Sequence, residues 1–237
     1  MNVSSIIPVY NGEKFLSEAI ESIMAQSYQS SEILVLDDGS TDNTRKIVEG
    51  FGSGVRYHYQ SNRGLGTARN EAIRLARGEF LAFLDADDVW TKDKLSLQTN
   101  VVRDDPSIQL VGGHVENFFT PGLEESIRRQ IRSPTTPQPA PVVPAMLIHR
   151  SVFERAGLFA TSWKVGVDLD WFLRVKDEGI HVQILPEVVL RRRLHAANTG
   201  IVNSKFASQR LEILKSALDR RRRAEVASKK PDSAEPE

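Results

Sequence analysis

The sequence predicts an α/β fold, a three-layer α/β/α sandwich around a mostly parallel central sheet. Three observations predict it. Four short apolar runs alternate with stretches whose apolar residues recur at helical spacing, giving a β-α-β-α-β-α-β rhythm. That rhythm places helices on both faces of a parallel sheet. Polar residues gather where three of the runs end, and right-handed crossovers put those ends on one edge, where open α/β sheets bind ligands.

Val3–Pro8 (VSSIIP) reads as a strand closed by a proline, which cannot continue a central strand. Phe15, Leu16, Ala19, Ile20, Ile23 and Met24 then recur at helical spacing. Glu32–Leu36 (EILVL) is a buried strand running into Asp37-Asp38-Gly39-Ser40. Ser40 or Thr41 can cap the next helix, which carries Ile47, Val48 and Phe51. Val55–Tyr59 alternates as a strand, Asn62–Gly66 is a turn, Thr67–Ala76 is helical, and Phe80–Leu84 is the fourth strand. The remainder is less regular. Lys92–Asp104 reads as a helix and Ile108–Phe118 as an extended segment. Ser133–Pro144 holds five prolines and reads as a long loop over one site. Val167–Lys176 is helical, and Val182–Leu194 reads as two strands broken at Pro186-Glu187. Ser204–Arg223 forms a polar, amphipathic C-terminal helix, and Ala224–Glu237 reads as a disordered tail.

With 237 residues, 40% of them hydrophobic, the chain can bury a core and suits one elaborated domain. The expected division is a single domain over 1–203, in two halves at 1–89 and 90–203. Lys plus Arg equals Asp plus Glu at 31 each, so composition points to no nucleic-acid partner. The absence of cysteine excludes disulfides, thiolate metal ligands and a Cys nucleophile, and fits a reducing compartment. MNVSSIIPVYNG lacks a basic segment followed by a long apolar one, and no run approaches the ~18 apolar residues that span a bilayer. The expectation is a soluble, cytoplasmic protein.

The chemistry concentrates in FLAFLDADD, where apolar Phe80–Leu84 delivers Asp85, Asp87 and Asp88 to one place. Carboxylates this close raise each other's pKa unless a cation or hydrogen-bond donors sit nearby. Hard divalent ions such as Mg²⁺ or Mn²⁺ take one or two carboxylates together with substrate phosphates. Such a metal neutralises the charge that develops on a leaving pyrophosphate. Taken singly, Asp37-Asp38-Gly39 or an Asp-x-Asp is most often a cap or a solvated turn; three polar clusters at successive strand ends are harder to read that way. The first strand is followed by PVYNGEKF, with neither G-x-G-x-x-G nor G-x-x-x-x-G-K-[ST], so a dinucleotide fold and a P-loop both lose their main support.

In this order, SIIPVYNGEKFL, EILVLDDGSTDNT, NRGLGTARNEAI, GEFLAFLDADD and VDLDWFLR resemble the family 2 glycosyltransferases of the GT-A fold. The resemblance covers Met1 to Asn198 and is most specific over Met1–Val89, where four motifs match in order and spacing. It implies inverting, metal-dependent transfer of a sugar from a nucleoside diphosphate sugar, UDP being the commonest carrier, with bacterial polysaccharide or glycoconjugate synthesis as the setting.

Carried over by position, Pro8, Val9, Tyr10, Asn11 and Glu13 match the segment lining base and ribose. Asp38 matches the base-binding residue, with Asp37 beside it. Asn62, Gly64, Arg69 and Asn70 match the motif near nucleotide and donor sugar. Asp85, Ala86 and Asp87 match the D-x-D motif, in which the first Asp contacts ribose or a metal-bound water and the last ligates Mn²⁺ or Mg²⁺. Asp88 is expected only to cap the segment after it. Asp168 matches the general base of the family's Glu-Asp motif, and the preceding Glu is Val167 here. A base on the face opposite the leaving diphosphate is what inverting transfer requires. Asp168 and Asp170 also suit the first turn of a helix as charges alone.

His195, in LRRRLHAAN, resembles the family's late Arg-x-His-x-x-Asn segment and would complete the metal shell or contact the diphosphate, with Arg191 or Arg193 screening the leaving group. Trp90, Trp163 and Trp171 could stack on sugar rings, though Trp171 equally suits a core. The basic run Arg220–Arg223 reads as a solvated face or a peripheral contact with anionic lipid. The acceptor is left open among carbohydrate, lipid-linked and peptide hydroxyls, as is a homo-oligomer. Two rivals stand beside the glycosyltransferase: a nucleotidyltransferase, and a catalytically impaired sugar-nucleotide-binding protein or partner subunit, for which Val167 speaks.

Overall fold

The computed structural model describes residues 1–131, 135–196, 198 and 207–228. Strands β1 (Val3–Val9), β2 (Glu32–Asp38), β3 (Arg56–Gln60) and β4 (Phe80–Phe83) pair in parallel in the order β3-β2-β1-β4. The second half continues the same sheet. β8 (Leu147–His149) runs antiparallel to β4 and to β6 (Leu110–Phe119), and β9 (Gln183–Leu194) runs parallel to β6. Two-residue strands finish it: β5 (Val89–Trp90) against β9 and β7 (Gln138–Pro139) against β6. The parallel character thus belongs to the first half, where crossover helices join the strands.

Alternation along the strands builds the three layers. Val3, Ile7, Val35, Phe80 and Ala82 face one core; Ile6, Leu34, Leu36, Leu81 and Phe83 face the other. Helices α1 (Leu16–Met24), α2 (Thr44–Gly50) and α4 (Lys94–Asp104) cover the first through Ile20, Val48 and Leu95. Helices α3 (Leu65–Leu75), α6 (Arg150–Ala156) and α7 (Val167–Asp177) cover the second through Ala72, Phe153 and Trp171. A short α5 (Glu125–Gln130), which no periodicity announced, follows β6.

Several expectations change. Pro8 does not end β1: it pairs with Leu36 in a strand flanked by β2 and β4. Ile6 faces β4, accepting from the Leu84 N–H, so Pro8 two residues on faces the same way; β4 pairing has ended there, and no ladder bond is lost. The α2 N-cap position is Asn43, not Ser40 or Thr41; the residue before it, Asp42, accepts from the Thr44 N–H through Oδ1 (2.9 Å). Val182–Leu194 is one strand, because the β6–β9 register shifts between Gly112 and Val115 absorb Pro186-Glu187 as a bulge. The proline-rich loop carries β7 and a 3-10 turn at Val143–Ala145. Trp90 and Trp171 are buried, with Trp90 Nε1 bonded to the Pro144 carbonyl and Trp171 Nε1 to that of Gly157, so neither offers a face to a sugar. Trp163 is half-buried against the second core.

The C-terminal helix, α8 (Ala207–Ser228), includes Ala224–Ser228 of the expected tail; 229–237 and the domain boundary near 203 lie outside the described residues. It docks on α7. Ile213 and Ala217 are buried, Arg220 lies 3.6 Å from Asp170 and 3.5 Å from Asp177, and Arg221 bonds Asp177 at 2.6 Å. Half of the basic run therefore fastens the helix. No helix among the described residues is long and apolar enough to cross a membrane.

At the opposite sheet edge Glu32 pins β1, β2, β3 and the chain entering β4. Its carboxylate accepts from Ser4 Oγ (2.6 Å), Arg56 Nη1 (3.0 Å) and the Arg77 N–H. Burial alone would raise its pKa; the bonds from Ser4, Arg77 and Arg56 outweigh burial and hold it below its ordinary 4.5. A depressed folded-state pKa means stability that is present above 4.5 and lost as pH falls through the folded value. Glu32→Gln should therefore unfold about 1–3 kcal/mol more easily at pH 7, in urea titrations, with the gap to the parent closing as pH drops below 4.5. A gap that stays constant down to pH 3 would remove Glu32 from this role.

Candidate active site

The aspartates sit where β4 ends. The chain turns with the Asp88 N–H donating to the Asp85 carbonyl (3.0 Å), then runs into β5 beside β9. That pairing, distant in sequence, brings the D-x-D turn to the end of β9. Asp87 Oδ2 lies 2.9 Å from His195 Nε2 and 3.3 Å from Asn198 Nδ2. Asp88 is buried, its Oδ1 accepting from the Arg193 N–H (2.8 Å), and burial first, then Asp87 and Asp85, push its pKa well up. Asp88 therefore fixes β9 rather than capping the segment after it.

A buried arginine joins the turn to the proposed base. Arg69, on α3, is 1% exposed; its Nη2 donates to Asp85 Oδ1 (2.9 Å) and its Nη1 to Asp168 Oδ1. Phe159 and Phe83 flank the guanidinium at 5.3 and 5.9 Å from their ring centroids. Burial alone would lower the Arg69 pKa, but Asp168 and Asp85 outweigh it and raise it. Asp85 is pushed above its ordinary value by burial, opposed by Arg69 and reinforced by Asp168 and Asp87. The second oxygen of Asp168 accepts from the Val143 N–H (2.9 Å), so the end of the proline-rich loop does reach the site.

The first loop is built to hold Tyr10 outward. Asn11, at φ 53°, donates its N–H to Ser40 Oγ (2.8 Å) and accepts from the Thr41 N–H (2.8 Å). Glu13 accepts from the Asn43 N–H (3.1 Å) and side chain (2.9 Å). Clasped this way, the loop leaves Tyr10 54% exposed at the mouth of a cleft of about 620 Å³. Pro8, Val9, Tyr10, Asn11, Asp85, Ala86, Asp87 and His195 all line that cleft, with Lys14 and Phe15. A second cavity of about 380 Å³ adjoins it, sharing Leu65, Asp85 and Asp87, and holds Arg69 and Asp168.

Five expected nucleotide contacts line neither cavity: Glu13, Asp37, Asp38, Asn62 and Gly64. Asp37 accepts from the Ser40 N–H and the Tyr57 hydroxyl, both at 2.7 Å. Asp38 accepts from the N–H groups of Arg63 (2.9 Å) and Gly64 (2.8 Å) and from Gln60 Nε2 (2.6 Å). Gly64 must hold φ 86° to start α3, and Asn62 packs on Gly39. Asn70 turns away to clamp Phe159, donating to its carbonyl and accepting from its N–H, both at 2.9 Å. Arg69 meets the nucleotide side only through Asp85.

Both arginines expected to screen a leaving group have acidic partners here. Arg191 pairs with Glu116 (3.2 Å); buried Arg193 binds Glu18 and the Asp87 carbonyl, lying 4.6 Å from the rings of Phe15 and Phe118. Arg192, on the other side of β9, lines the second cavity with Lys164 and Arg210. Sequence reasoning missed these three and Val143, since strand alternation separates Arg192 from its neighbours but names no target.

Among the described residues no three His, Asp or Glu side chains converge closely enough to hold a metal alone. Asp87 and His195 do form a touching oxygen–imidazole pair, a donor set that Mn²⁺ accepts when phosphate and water complete the shell. The residues present fit a metal that arrives with its substrate.

Removing Arg69 leaves two carboxylates facing each other. Arg69→Met should lower unfolding free energy by about 3–5 kcal/mol at neutral pH, and adding Asp168→Asn should restore part of it. Denaturant titration of both variants checks this; a parental midpoint for Arg69→Met would show that the bridge holds nothing.

An uncharacterized glycosyltransferase of Rickettsia typhi is 32% identical over 83% of this chain and 65% of its own length. The chain thus spans just under two thirds of that relative. The UDP-Glc:alpha-D-GlcNAc-diphosphoundecaprenol beta-1,3-glucosyltransferase WfgD of Escherichia coli is 42% identical over 42% of this chain and 40% of that protein. TarS of Staphylococcus aureus, solved in complex with UDP-GlcNAc, superposes with a TM-score of 0.67 at 21% identity, covering 84% of this chain and 60% of that one. That likeness shows the GT-A-like fold. The family model described as Glycosyl transferase family 2 matches residues 4–157, well over half the chain, and the protein belongs to that family.

Proposed function

We propose that this chain is an inverting glycosyltransferase, moving a sugar from a UDP-linked donor to an acceptor hydroxyl with Asp168 as general base. The observation that carries the reading is the meeting of two cavities at Asp85 and Asp87, one mouthed by Tyr10 and the other holding Asp168. A nucleotide in the first would present its sugar at that junction. WfgD's name gives a UDP-glucose donor, and TarS was solved with UDP-GlcNAc, which supports UDP as carrier.

The chain's own groups supply positioning and proton transfer. Tyr10 offers a face for the base to stack on, and Asp85 is a candidate ribose contact. Arg69 and the Val143 N–H each take one lone pair from Asp168, orienting the carboxylate while leaving lone pairs for an acceptor hydroxyl. Asp168 takes the hydroxyl proton as that oxygen attacks the anomeric carbon from the face opposite the diphosphate, which leaves as UDP. Asp87 and His195 would hold Mn²⁺ or Mg²⁺, which when bound neutralises charge on the departing diphosphate. Val167 is buried in the second core, so here the orienting partners of the base are Arg69 and Val143.

Asp168→Asn should reduce transfer by about 10²–10⁴-fold while calorimetry still records UDP binding. Asp87→Ala should abolish the gain in UDP affinity that Mn²⁺ gives the parent. Full transfer by Asp168→Asn would place the base elsewhere, and unchanged Mn²⁺-dependent binding by Asp87→Ala would overturn the metal assignment.

A further inference from the structure

Lys94, the first residue of α4, is a buried amine with no carboxylate partner among the described residues. Burial pushes its pKa well below the ordinary 10.5, and nothing offsets that. Its Nζ donates to Gln98 Oε1 (2.6 Å) and to the Met146 carbonyl (3.2 Å), and lies 4.3 Å from the centroid of the Trp90 ring. A lysine buried in this way costs more than an apolar side chain of its length, so stability alone does not account for it.

What the amine and its neighbours hold is one turn. Trp90 Nε1 donates to the Pro144 carbonyl (3.0 Å), Gln98 Nε2 to that of Ala145 (2.8 Å) and Lys94 Nζ to that of Met146. Side chains from β5 and α4 thus grip three successive carbonyls of the 3-10 turn that begins at Val143. Gln98 Nε2 also donates to the Val111 carbonyl (3.0 Å), which ties the grip to β6. Within the turn, the Ala145 N–H donates to the Val142 carbonyl (3.1 Å). That carbonyl shares a rigid peptide plane with the Val143 N–H, the group that donates to Asp168 Oδ2. A short chain of contacts therefore runs from Gln98 through Ala145 and Val142 to the carboxylate.

We propose that Lys94, Gln98 and Trp90 are positioning residues for Asp168, acting through the turn at Val143–Ala145. The inference rests on the reading of Asp168 as general base. Arg69 fixes one carboxylate oxygen from α3, and the gripped turn fixes the other from the side of β5 and α4. With the turn released, the carboxylate keeps a single anchor and can swing about it. A base works only within hydrogen-bond reach of its hydroxyl, and a misplacement of ~1 Å can cost about 10²-fold in rate. None of the three residues lines either cavity, so they act on the base without meeting donor or acceptor.

The test follows UDP release from UDP-glucose and UDP-N-acetylglucosamine by the full chain with Mn²⁺, water standing in for the acceptor. Lys94→Met and Gln98→Met keep side-chain length and lose the donors, while Trp90→Phe keeps a ring and loses Nε1. Each should lower kcat about tenfold, while donor KM and calorimetric UDP affinity change less than about twofold. In an Asp168→Asn background the same substitutions should cost less than about twofold, since no base is left to aim. Glu32→Gln, at the far sheet edge, should leave kcat unchanged, which separates aim from loss of stability. The three variants report independently, so one that fails to fold leaves the others to decide. An unchanged kcat in the folded variants overturns the inference alone. So does an equal loss in the parent and Asp168→Asn backgrounds, which a merely structural role would give. A fall in UDP affinity as large as the fall in kcat also overturns it, by assigning these residues to the donor side. Full UDP release by Asp168→Asn, or none by the parent, overturns the reading of the site and this inference with it.

Discussion

The buried guanidinium of Arg69 sets the terms for the rest of the site. A charge that is 1% exposed persists only with paired, hydrogen-bonded partners. Its partners come from two distant places, Asp85 at the end of β4 and Asp168 in the first turn of α7. The constraint therefore reaches outward. The α3 start must be held by Gly64 and Asp38, Phe159 must lie over the guanidinium, and Asn70 must clamp the Phe159 backbone. Gly64, Asp38 and Asn70, expected from sequence near the nucleotide, thus also form the scaffold that aims one arginine.

A second constraint fixes the other wall. Asp88 and Arg193 lock the D-x-D turn to β9, and Arg193 is in turn held by Glu18 and two phenylalanine rings. These contacts join α1, the D-x-D turn, β6 and β9 around one residue. They hold His195 and Asn198 against Asp87, so the metal-binding candidates are positioned from behind by groups that never face the cleft.

Much of this was legible in the sequence. Strands β1, β2 and β4 follow from continuous apolar runs, which burial on both faces forces, and edge strand β3 follows from its alternation. The edge bearing Asp85, Asp87 and the Tyr10 loop follows from topology alone. Other features were not legible, each for a physical reason. The bonds that Asp37 and Asp38 accept from the N–H groups of Ser40, Arg63 and Gly64 were not foreseen, because a strand-end carboxylate reads the same in sequence whatever donors it meets. Pro186 looks like a break because a bulge in β9 depends on its β6 partner. Asp42 rather than Ser40 meets the first N–H of α2, and Ser40 is engaged by Asn11, a contact 29 residues away. Membership in glycosyl transferase family 2 removes the main reason to entertain a nucleotidyltransferase.

Val167 is the departure that most invites a non-catalytic reading, and packing argues against giving it that weight. Its side chain is 2% exposed and packs in the core that contains Trp171 and Val175, at the edge of the cavity that it lines together with Asp168. A glutamate in that pose would bury an unpaired carboxylate among apolar groups, at several kcal/mol by order of magnitude. What a base at 168 needs is a fixed carboxylate, and Arg69 with the Val143 N–H supplies that from two elements. Two carboxylates on one guanidinium leave net negative charge where the cavities join. In the proposed reading that is the place to which a cation carrying a sugar diphosphate is drawn, and the same arginine that leaves the charge incomplete holds the base in position for the acceptor.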